Sequence, residues 1–120
     1  MEIIIAKSAG FCFGVKKAVE TVENNMDKYV KLYTLGEIIH NPQVVKRFKD
    51  NGVYPINNAS EIEEGAVIIR SHGAPKSAIQ ELKNKNITVL DATCPFVSRI
   101  QKIVEKAHEN GDFIVIIGEK

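Results

Sequence analysis

The sequence predicts an α/β fold in which a parallel sheet carries helices on both faces, a three-layer αβα arrangement. Short apolar segments alternate with amphipathic segments along the chain, a pattern typical of parallel strands joined by right-handed helical crossovers. Two of the apolar segments, Ala66-Val67-Ile68-Ile69 and Phe113-Ile114-Val115-Ile116-Ile117, are continuous runs, as expected for strands covered on both faces. The chain has 120 residues, which is enough for one domain without disulfide support.

Strands and helices are predicted to alternate in sequence order. Short segments rich in Ile, Val, Leu or Tyr predict five strands, at 2–6, 30–34, 66–70, 86–91 and 113–117. Between these strands, apolar side chains recur at helical spacing and predict four helices, over 15–26, 44–48, 78–82 and 97–107.

Capping signals define several of the element ends. Three helices are predicted to begin at a proline, because the first helical position needs no N–H donor: Pro42, Pro75 and Pro95. Two helices are predicted to end at the left-handed glycine of an Asn-Gly pair, at Gly52 and Gly111. The segment Ser60-Glu61-Ile62-Glu63 has capping-box spacing, which predicts a short helical turn.

Charge and hydropathy exclude several classes of function. The 16 basic and 15 acidic residues give a net charge of +1, which is too small to attract nucleic acid or an anionic membrane surface. The sequence contains no run of about 18 apolar residues, and its first residues lack the basic start and long apolar stretch of a signal peptide. We therefore expect a cytoplasmic protein with free thiols and with no nucleic-acid or membrane partner.

The two cysteines occupy equivalent places in two distant segments. Cys12 follows the first predicted strand and Cys94 follows the fourth, and each directly precedes an amphipathic helix. In open α/β sheets, ligands bind outside the carboxyl ends of the strands. Both thiols are therefore candidates for one shared site.

Two histidines follow the same rule. His40 comes after the second predicted strand and His72 after the third, whereas His108 lies inside the last helix and is assigned no function. Four of the five side chains able to bind a metal through thiolate or imidazole thus fall just beyond strand ends. This placement favours one functional site over four independent structural roles.

Each of these positions also has a structural interpretation. Cys94 could be a small buried apolar residue, and the glycines on either side of Cys12 could simply shape a tight turn. Pro95 favours the functional interpretation for Cys94, because a helix N-terminus stabilises a thiolate. The glycines around Cys12 would let the backbone approach a bulky group.

The histidines predict an anion site. Alone, each could be a loop histidine bonded to the backbone. Together with N–H groups at helix starts, and with Asn41, Ser71 and Thr93 nearby in sequence, His40 and His72 form a plausible cradle for a phosphate or diphosphate.

Four segments resemble, in the same order, the motifs of the 4-hydroxy-3-methylbut-2-enyl diphosphate reductase family, also called LytB or IspH. They are Ala9-Gly10-Phe11-Cys12-Phe13-Gly14-Val15, Gly36-Glu37-Ile38-Ile39-His40-Asn41, Arg70-Ser71-His72-Gly73 and Asp91-Ala92-Thr93-Cys94-Pro95. The resemblance implies an iron–sulfur reductase of the non-mevalonate isoprenoid pathway. It would remove the allylic hydroxyl of its substrate to give isopentenyl and dimethylallyl diphosphates.

The resemblance also implies a cofactor, ligands and a partner. The family binds a [4Fe–4S] cluster through three cysteines, so Cys12 and Cys94 would be two of the ligands. His40 and His72 would bind the diphosphate, and ferredoxin or flavodoxin would donate electrons. The chemistry requires such a cofactor, because breaking an allylic C–O bond takes two electrons that no ordinary side chain donates.

The sequence departs from the family pattern in two respects. It has two cysteines where the family uses three, and it corresponds to the N-terminal part of a family built from three α/β domains. We therefore expect residues 1–97 to form the first domain and 98–120 to begin a second, truncated one. Such a fragment would carry no catalytic residue of its own, would be inactive alone and would expose apolar faces that favour self-association.

Two other classes of function stay open. A non-catalytic metal-binding module would use Cys12, Cys94, His40 and His72 as a zinc site, although the paired spacing of a zinc finger is missing. A thiol–disulfide redox protein would pair Cys12 with Cys94, although there is no Cys-x-x-Cys motif.

Overall fold

A four-stranded parallel sheet forms the centre of the fold in the computed structural model, which describes residues 1–118. The strands are β1 (Leu32–Leu35), β2 (Val53–Ile56), β3 (Ala66–Ile69) and β4 (Thr88–Asp91). Their order across the sheet is β2-β1-β3-β4, and every neighbouring pair is parallel. The predicted α/β class is confirmed.

The carboxyl ends of the four strands are level. Leu35 lies opposite both Ile56 and Ile69, and Ile69 in turn lies opposite Asp91. The loops that follow the strands therefore share one side of the sheet, which we call the carboxyl edge: residues 36–41, 57–58, 70–75 and 92–94. His40, His72 and Cys94 lie in these loops, as predicted. Cys12 follows no strand and lies instead at the start of α1.

Helices cover both faces of the sheet, as predicted. They are α1 (Phe13–Glu23), α2 (Pro42–Asp50), α3 (Lys76–Asn84) and α4 (Pro95–Glu109), with a 3₁₀ turn at Ala59–Glu61. On one face, Val22 of α1 and Phe48 of α2 join Ile68 in a buried cluster. On the other face, Leu82 of α3 clusters with Val67. Successive side chains of β3 thus point to opposite faces of the sheet, as the pleat of a strand requires.

Most of the predicted element ends are confirmed. Helices α2 and α4 begin at Pro42 and Pro95, whereas α3 begins one residue after Pro75, which is its N-cap. Gly52 and Gly111 adopt φ angles of +82° and +78°, as expected for left-handed helix ends. The 3₁₀ turn is present, but its cap was predicted wrongly: Asn58 and Glu61 form the capping box, with the Asn58 N–H donating to Glu61 Oε1 at 2.7 Å.

Two predicted strands are wrong and one strand was missed. Residues 2–6 and 113–117 form no strand, because a strand needs a neighbour to bond its backbone and the described part of the chain provides none. Ile4 and Ile117 remain 83% and 94% exposed. The missed strand, β2, contains Pro55, which argues against a strand except at a sheet edge, where β2 lies.

Helix α4 is amphipathic but contributes no buried residue to the core. Its apolar residues Phe96, Ile100 and Ile103 are 60% or more exposed. The predicted boundary between residues 97 and 98 falls within the first turn of this helix. Within residues 1–118, no helix combines the length and apolar character that crossing a membrane requires.

Candidate functional site at the carboxyl edge

The two cysteines hold the same structural position at the starts of two helices. Cys12 is the N-cap of α1 and Cys94 is the N-cap of α4, and neither side chain makes a capping hydrogen bond. Both are free thiols; Cys12 is exposed and Cys94 is half-buried. Each sulfur therefore lies beside the partial positive charge of a helix N-terminus while remaining available to a ligand.

The loops that carry the cysteines are in direct contact. A β-carbon built on Gly14 would lie 2.6 Å from the Sγ atom of Cys94 and 2.9 Å from its Cβ atom. Gly14 lies in the first turn of α1, two residues after Cys12. The structure thus brings together two segments that are far apart in sequence, and the missing side chain at Gly14 makes the room.

Hydrogen bonds tie the Cys94 loop to its neighbours on both sides. The Cys94 N–H donates to the carbonyl of Ser71 at 2.9 Å, which joins it to the loop after β3. Lys17 Nζ, on α1, donates to the carbonyl of Thr93 at 3.2 Å. The Thr93 N–H donates to Asp91 Oδ1 at 2.9 Å, which shapes the turn out of β4. The backbone at Cys94 is therefore held by the loop after β3 and by α1 as well as by its own helix.

The two histidines also meet. The ring centroids of His40 and His72 are 5.2 Å apart, and the rings are tilted by 45°. His40 ends the loop after β1 and His72 lies in the loop after β3, so the pairing of these neighbouring strands aligns the two loops. Both histidines are exposed. Two imidazoles at this spacing suit an anion that both rings can contact.

Electrostatics at His72 favour a neutral ring. Partial desolvation of the exposed ring, then the charge of Arg70, then that of His40 hold the pKa of His72 below its usual value of 6.5. All three causes penalise the protonated ring. A bound anion would act in the opposite direction, because a negative charge favours the imidazolium.

Arg70 lies beside His72, although the motif Arg70-Ser71-His72-Gly73 predicted no role for it. Its guanidinium packs against Gly36, where a β-carbon would lie 2.9 Å from one of the guanidinium nitrogens. Arg70 takes part in none of the ion pairs within residues 1–118. Its position directly after β3 and before Ser71-His72 could have identified Arg70 from the sequence as a residue near the predicted anion site.

The other predicted cradle residues have structural roles. The Asn41 side chain accepts hydrogen bonds from the backbone N–H groups of Gln43 and Val44, both at 3.1 Å, and so caps α2. Ser71 and Thr93 are buried. They hold the loops in place, while the exposed imidazoles face solvent.

A cleft of about 430 Å³ opens at the same edge, beside the cysteine and histidine loops. Its lining includes Arg70 and Gly73, together with Asn57, Asn58 and Ser77, but none of the four predicted ligands. It shares Arg70, Gly73, Ala74 and Pro75 with the loop that carries His72, and Gly36 with the loop that carries His40. The cleft is therefore adjacent to the predicted site and does not coincide with it.

Neither alternative class of site gains support from the geometry. Within the described residues, no three Cys, His, Asp or Glu side chains are grouped closely enough to hold a metal ion, so the four predicted zinc ligands do not form a cage. Cys12 and Cys94 are not joined in a disulfide.

The chain is similar to a known protein family over almost its whole length. The sequence model of the LytB protein family matches residues 3–120. The chain is 50% identical to the 4-hydroxy-3-methylbut-2-enyl diphosphate reductase of Caldanaerobacter subterraneus subsp. tengcongensis, covering 100% of this chain and 43% of that one. It is 48% identical to the reductase of Aquifex aeolicus, covering 100% of this chain and 42% of the relative.

Solved structures agree with this similarity. A structure of (E)-4-hydroxy-3-methyl-but-2-enyl diphosphate reductase, the terminal enzyme of the non-mevalonate pathway, has a TM-score of 0.83 and 48% identity, over 98% of this chain and 42% of that chain. The Plasmodium falciparum reductase has a TM-score of 0.79 and 31% identity, over 87% and 34%. The chain therefore spans less than half the length of these relatives.

Proposed function

Since the chain belongs to the LytB protein family, we propose that it is the part of a 4-hydroxy-3-methylbut-2-enyl diphosphate reductase that provides two cluster cysteines and two diphosphate-binding histidines. One observation carries the proposal: Cys94 packs against the first turn of the helix that Cys12 caps. The named activity of the relatives supports the reaction.

The proposed reaction is the reductive dehydroxylation of (E)-4-hydroxy-3-methylbut-2-enyl diphosphate to isopentenyl and dimethylallyl diphosphates, in the non-mevalonate isoprenoid pathway. The allylic C–O bond breaks, two electrons and two protons enter, and the hydroxyl leaves as water. Side chains can deliver protons but not electron pairs of this kind. A redox cofactor and an external donor are therefore part of the proposal.

The thiols fit an iron–sulfur cluster. Thiolates are the usual ligands of such clusters, and here both sulfurs are free, uncapped and next to a helix N-terminus. We assign Cys12 and Cys94 to a [4Fe–4S] cluster whose third cysteine ligand is not among the two cysteines of this chain. When bound, the cluster supplies the electrons and a Lewis-acidic iron for the leaving hydroxyl.

His40 and His72 would bind the diphosphate. Each ring can donate an N–H bond to a phosphate oxygen, and bonds of this kind to a charged group are stronger than neutral ones. Arg70 adds a positive charge beside His72 without an ion-pair partner in the described part of the chain. Binding would draw a proton onto His72, because the anion reverses the penalty that holds the pKa of His72 low.

The remaining parts of the proposal concern organisation and partners. Residues 1–97 would form the first domain, and 98–120 would begin a second one that other parts of the enzyme complete. The exposed apolar residues of α4, Phe96, Ile100 and Ile103, support this division. The electron donor would be ferredoxin or flavodoxin, and the location cytoplasmic.

A chimera tests the proposed function. This chain would replace the matching region of the Caldanaerobacter reductase, and the purified anaerobic protein would be assayed with the allylic diphosphate and dithionite-reduced methyl viologen. We expect both isoprenoid diphosphates as products and iron bound to the protein. A chimera that folds and binds only zinc, or no metal, and forms neither product would refute the proposal.

A further inference from the structure

The two loops that carry the histidines are each anchored to a different part of the fold. The loop after β1 begins at Gly36, whose N–H donates to the carbonyl of Ile56 in β2 at 2.7 Å. The loop after β3 begins with a tight turn, in which the Gly73 N–H donates to the carbonyl of Arg70 at 2.9 Å. His72 is the third residue of that turn. Neither of these bonds fixes the distance between the two imidazole rings.

The side chain of Arg70 connects the two loops. Leu35 and Ile69 are paired at the ends of neighbouring strands, so the residues that follow them, Gly36 and Arg70, begin the two loops side by side. A β-carbon built on Gly36 would lie 2.9 Å from the Nη1 atom of Arg70 and 3.2 Å from both its Cδ and its Cζ atoms. The half-buried arginine therefore occupies the space that a side chain at position 36 would take.

A comparison with Gly52 separates two reasons for a glycine at position 36. Gly36 has a φ angle of +75° and Gly52 one of +82°, so the turn of the backbone favours glycine at both positions. Within the described part of the chain, a β-carbon on Gly52 would meet no atom closer than 4 Å outside its own chain neighbours. Of these two glycines, Gly36 is the one whose missing side chain makes room for another residue.

We propose that Arg70 is a positioning residue, which packs on Gly36 and thereby sets the spacing of His40 and His72 at the diphosphate site. The inference rests on the proposed function, which assigns both histidines to diphosphate binding. The ring centroids are 5.2 Å apart, and an anion can bond to both rings only while the loops keep that spacing. The planar guanidinium suits this role, because it is more rigid than the ammonium group of a lysine.

The test displaces the arginine without removing its charge. In Gly36→Ala the new methyl meets the end of the Arg70 side chain, which has to swing away. Isothermal titration calorimetry with inorganic diphosphate gives the Kd, and the nuclear Overhauser effect between the ring protons of His40 and His72 reports their spacing. The parent chain should show this effect. In Gly36→Ala we expect it to be lost and the Kd to rise roughly tenfold, as if one histidine bond were missing.

Gly52→Ala is the matched control. It places an alanine at nearly the same left-handed φ angle, so the backbone penalty is similar, but its methyl enters open space. We expect both the Kd and the ring-proton signal to match those of the parent.

Arg70→Ala removes the same contact from the other side. It should also lose the ring-proton signal, and this variant serves if Gly36→Ala does not fold. When Gly36→Ala is added to Arg70→Ala, the Kd should not rise further, because the contact is already gone.

The outcomes separate the two proposals. If the parent binds diphosphate through its histidines but Gly36→Ala keeps the parent's Kd or its ring-proton signal, the positioning role alone is overturned. Equal effects in Gly52→Ala would also overturn it, because they would arise from backbone strain. If His40→Asn and His72→Asn bind diphosphate as the parent does, the histidine assignment in the proposed function is wrong, and the positioning role fails with it.

Discussion

The sulfur of Cys94 lies 2.6 Å from the point that a β-carbon of residue 14 would occupy. Any side chain in place of the glycine at position 14 would therefore force Cys94 or α1 to move. This contact joins the N-termini of α1 and α4, each of which is capped by a cysteine. The geometry of the proposed site depends on it.

Gly14→Ala should destabilise the chain by about 1–3 kcal/mol, because overpacking forces neighbouring atoms to move. The new methyl would meet both Sγ and Cβ of Cys94. The gain in helix propensity offsets at most about 1 kcal/mol of this cost. Urea unfolding gives the free energy of unfolding for both proteins.

A double-mutant cycle identifies the cause of that loss. In a Cys94→Ala background the Sγ clash is removed, so Gly14→Ala should cost less there than in the parent. Equal costs in the two backgrounds would show that the contact with the sulfur is not what excludes a side chain at position 14.

Lys17→Met should also weaken the site by removing the bond from Nζ to the Thr93 carbonyl. This bond is partly buried, so we expect a loss of about 1 kcal/mol in the free energy of unfolding. Lys16→Met is the matched control: within residues 1–118, Lys16 pairs with exposed Glu20 alone, at 3.8 Å, and its loss should cost under about 0.5 kcal/mol. Similar losses for the two variants would argue against a specific role for Lys17.

The protonation of His72 should make the free energy of unfolding decrease as the pH is lowered. Desolvation, Arg70 and His40 place the pKa of the folded state below the usual 6.5, so the unfolded state takes up its proton first as the pH is lowered. The free energy of unfolding should therefore decrease as the pH falls below about 6.5 and level off below the folded-state pKa. His72→Asn should reduce this slope, and Arg70→Gln should reduce it in part. An unchanged profile in His72→Asn would assign the slope to other groups.

Inorganic diphosphate should bind the chain through the histidine pair. His40→Asn and His72→Asn should each raise the Kd roughly tenfold or more, since a hydrogen bond to a charged group contributes about 1.5–3 kcal/mol. Affinity should increase toward lower pH, because the anion favours protonated imidazole. Isothermal titration calorimetry measures both effects. His108→Asn, in the last turn of α4, provides the control; an equal loss in that variant would indicate non-specific binding.

Much of this arrangement was predictable from sequence, because it depends on periodicity and on the topology of parallel sheets. The four helices and the strands β1, β3 and β4 carry strong periodic or continuous apolar signals. The rule that ligands gather at the carboxyl ends of strands correctly placed His40, His72 and Cys94 at one edge. It was wrong for Cys12, because the predicted strand at 2–6 does not form; Cys12 is instead linked to Cys94 through the first turn of α1.

The remainder required three-dimensional information. Strand β2 was not predicted because it contains Pro55. A proline is tolerated in a strand at the edge of a sheet, and the sequence alone does not show that β2 is an edge strand. Residues 2–6 and 113–117 have the composition of strands, but composition does not provide a hydrogen-bonding neighbour. The contact of Gly14 with Cys94 and that of Arg70 with Gly36 are packing facts between distant segments. Local patterns do not encode them.

The most direct test of the account is the visible and EPR spectrum of the anaerobically reconstituted chimera with serine at one or both cysteines. We predict that the parent shows the broad charge-transfer absorption of an iron–sulfur cluster. Cys12→Ser and Cys94→Ser should each lose it, and the double variant should lose no more than either single variant, with far-UV circular dichroism unchanged. Retention of the full spectrum in either single variant would contradict a cluster shared by the two thiols.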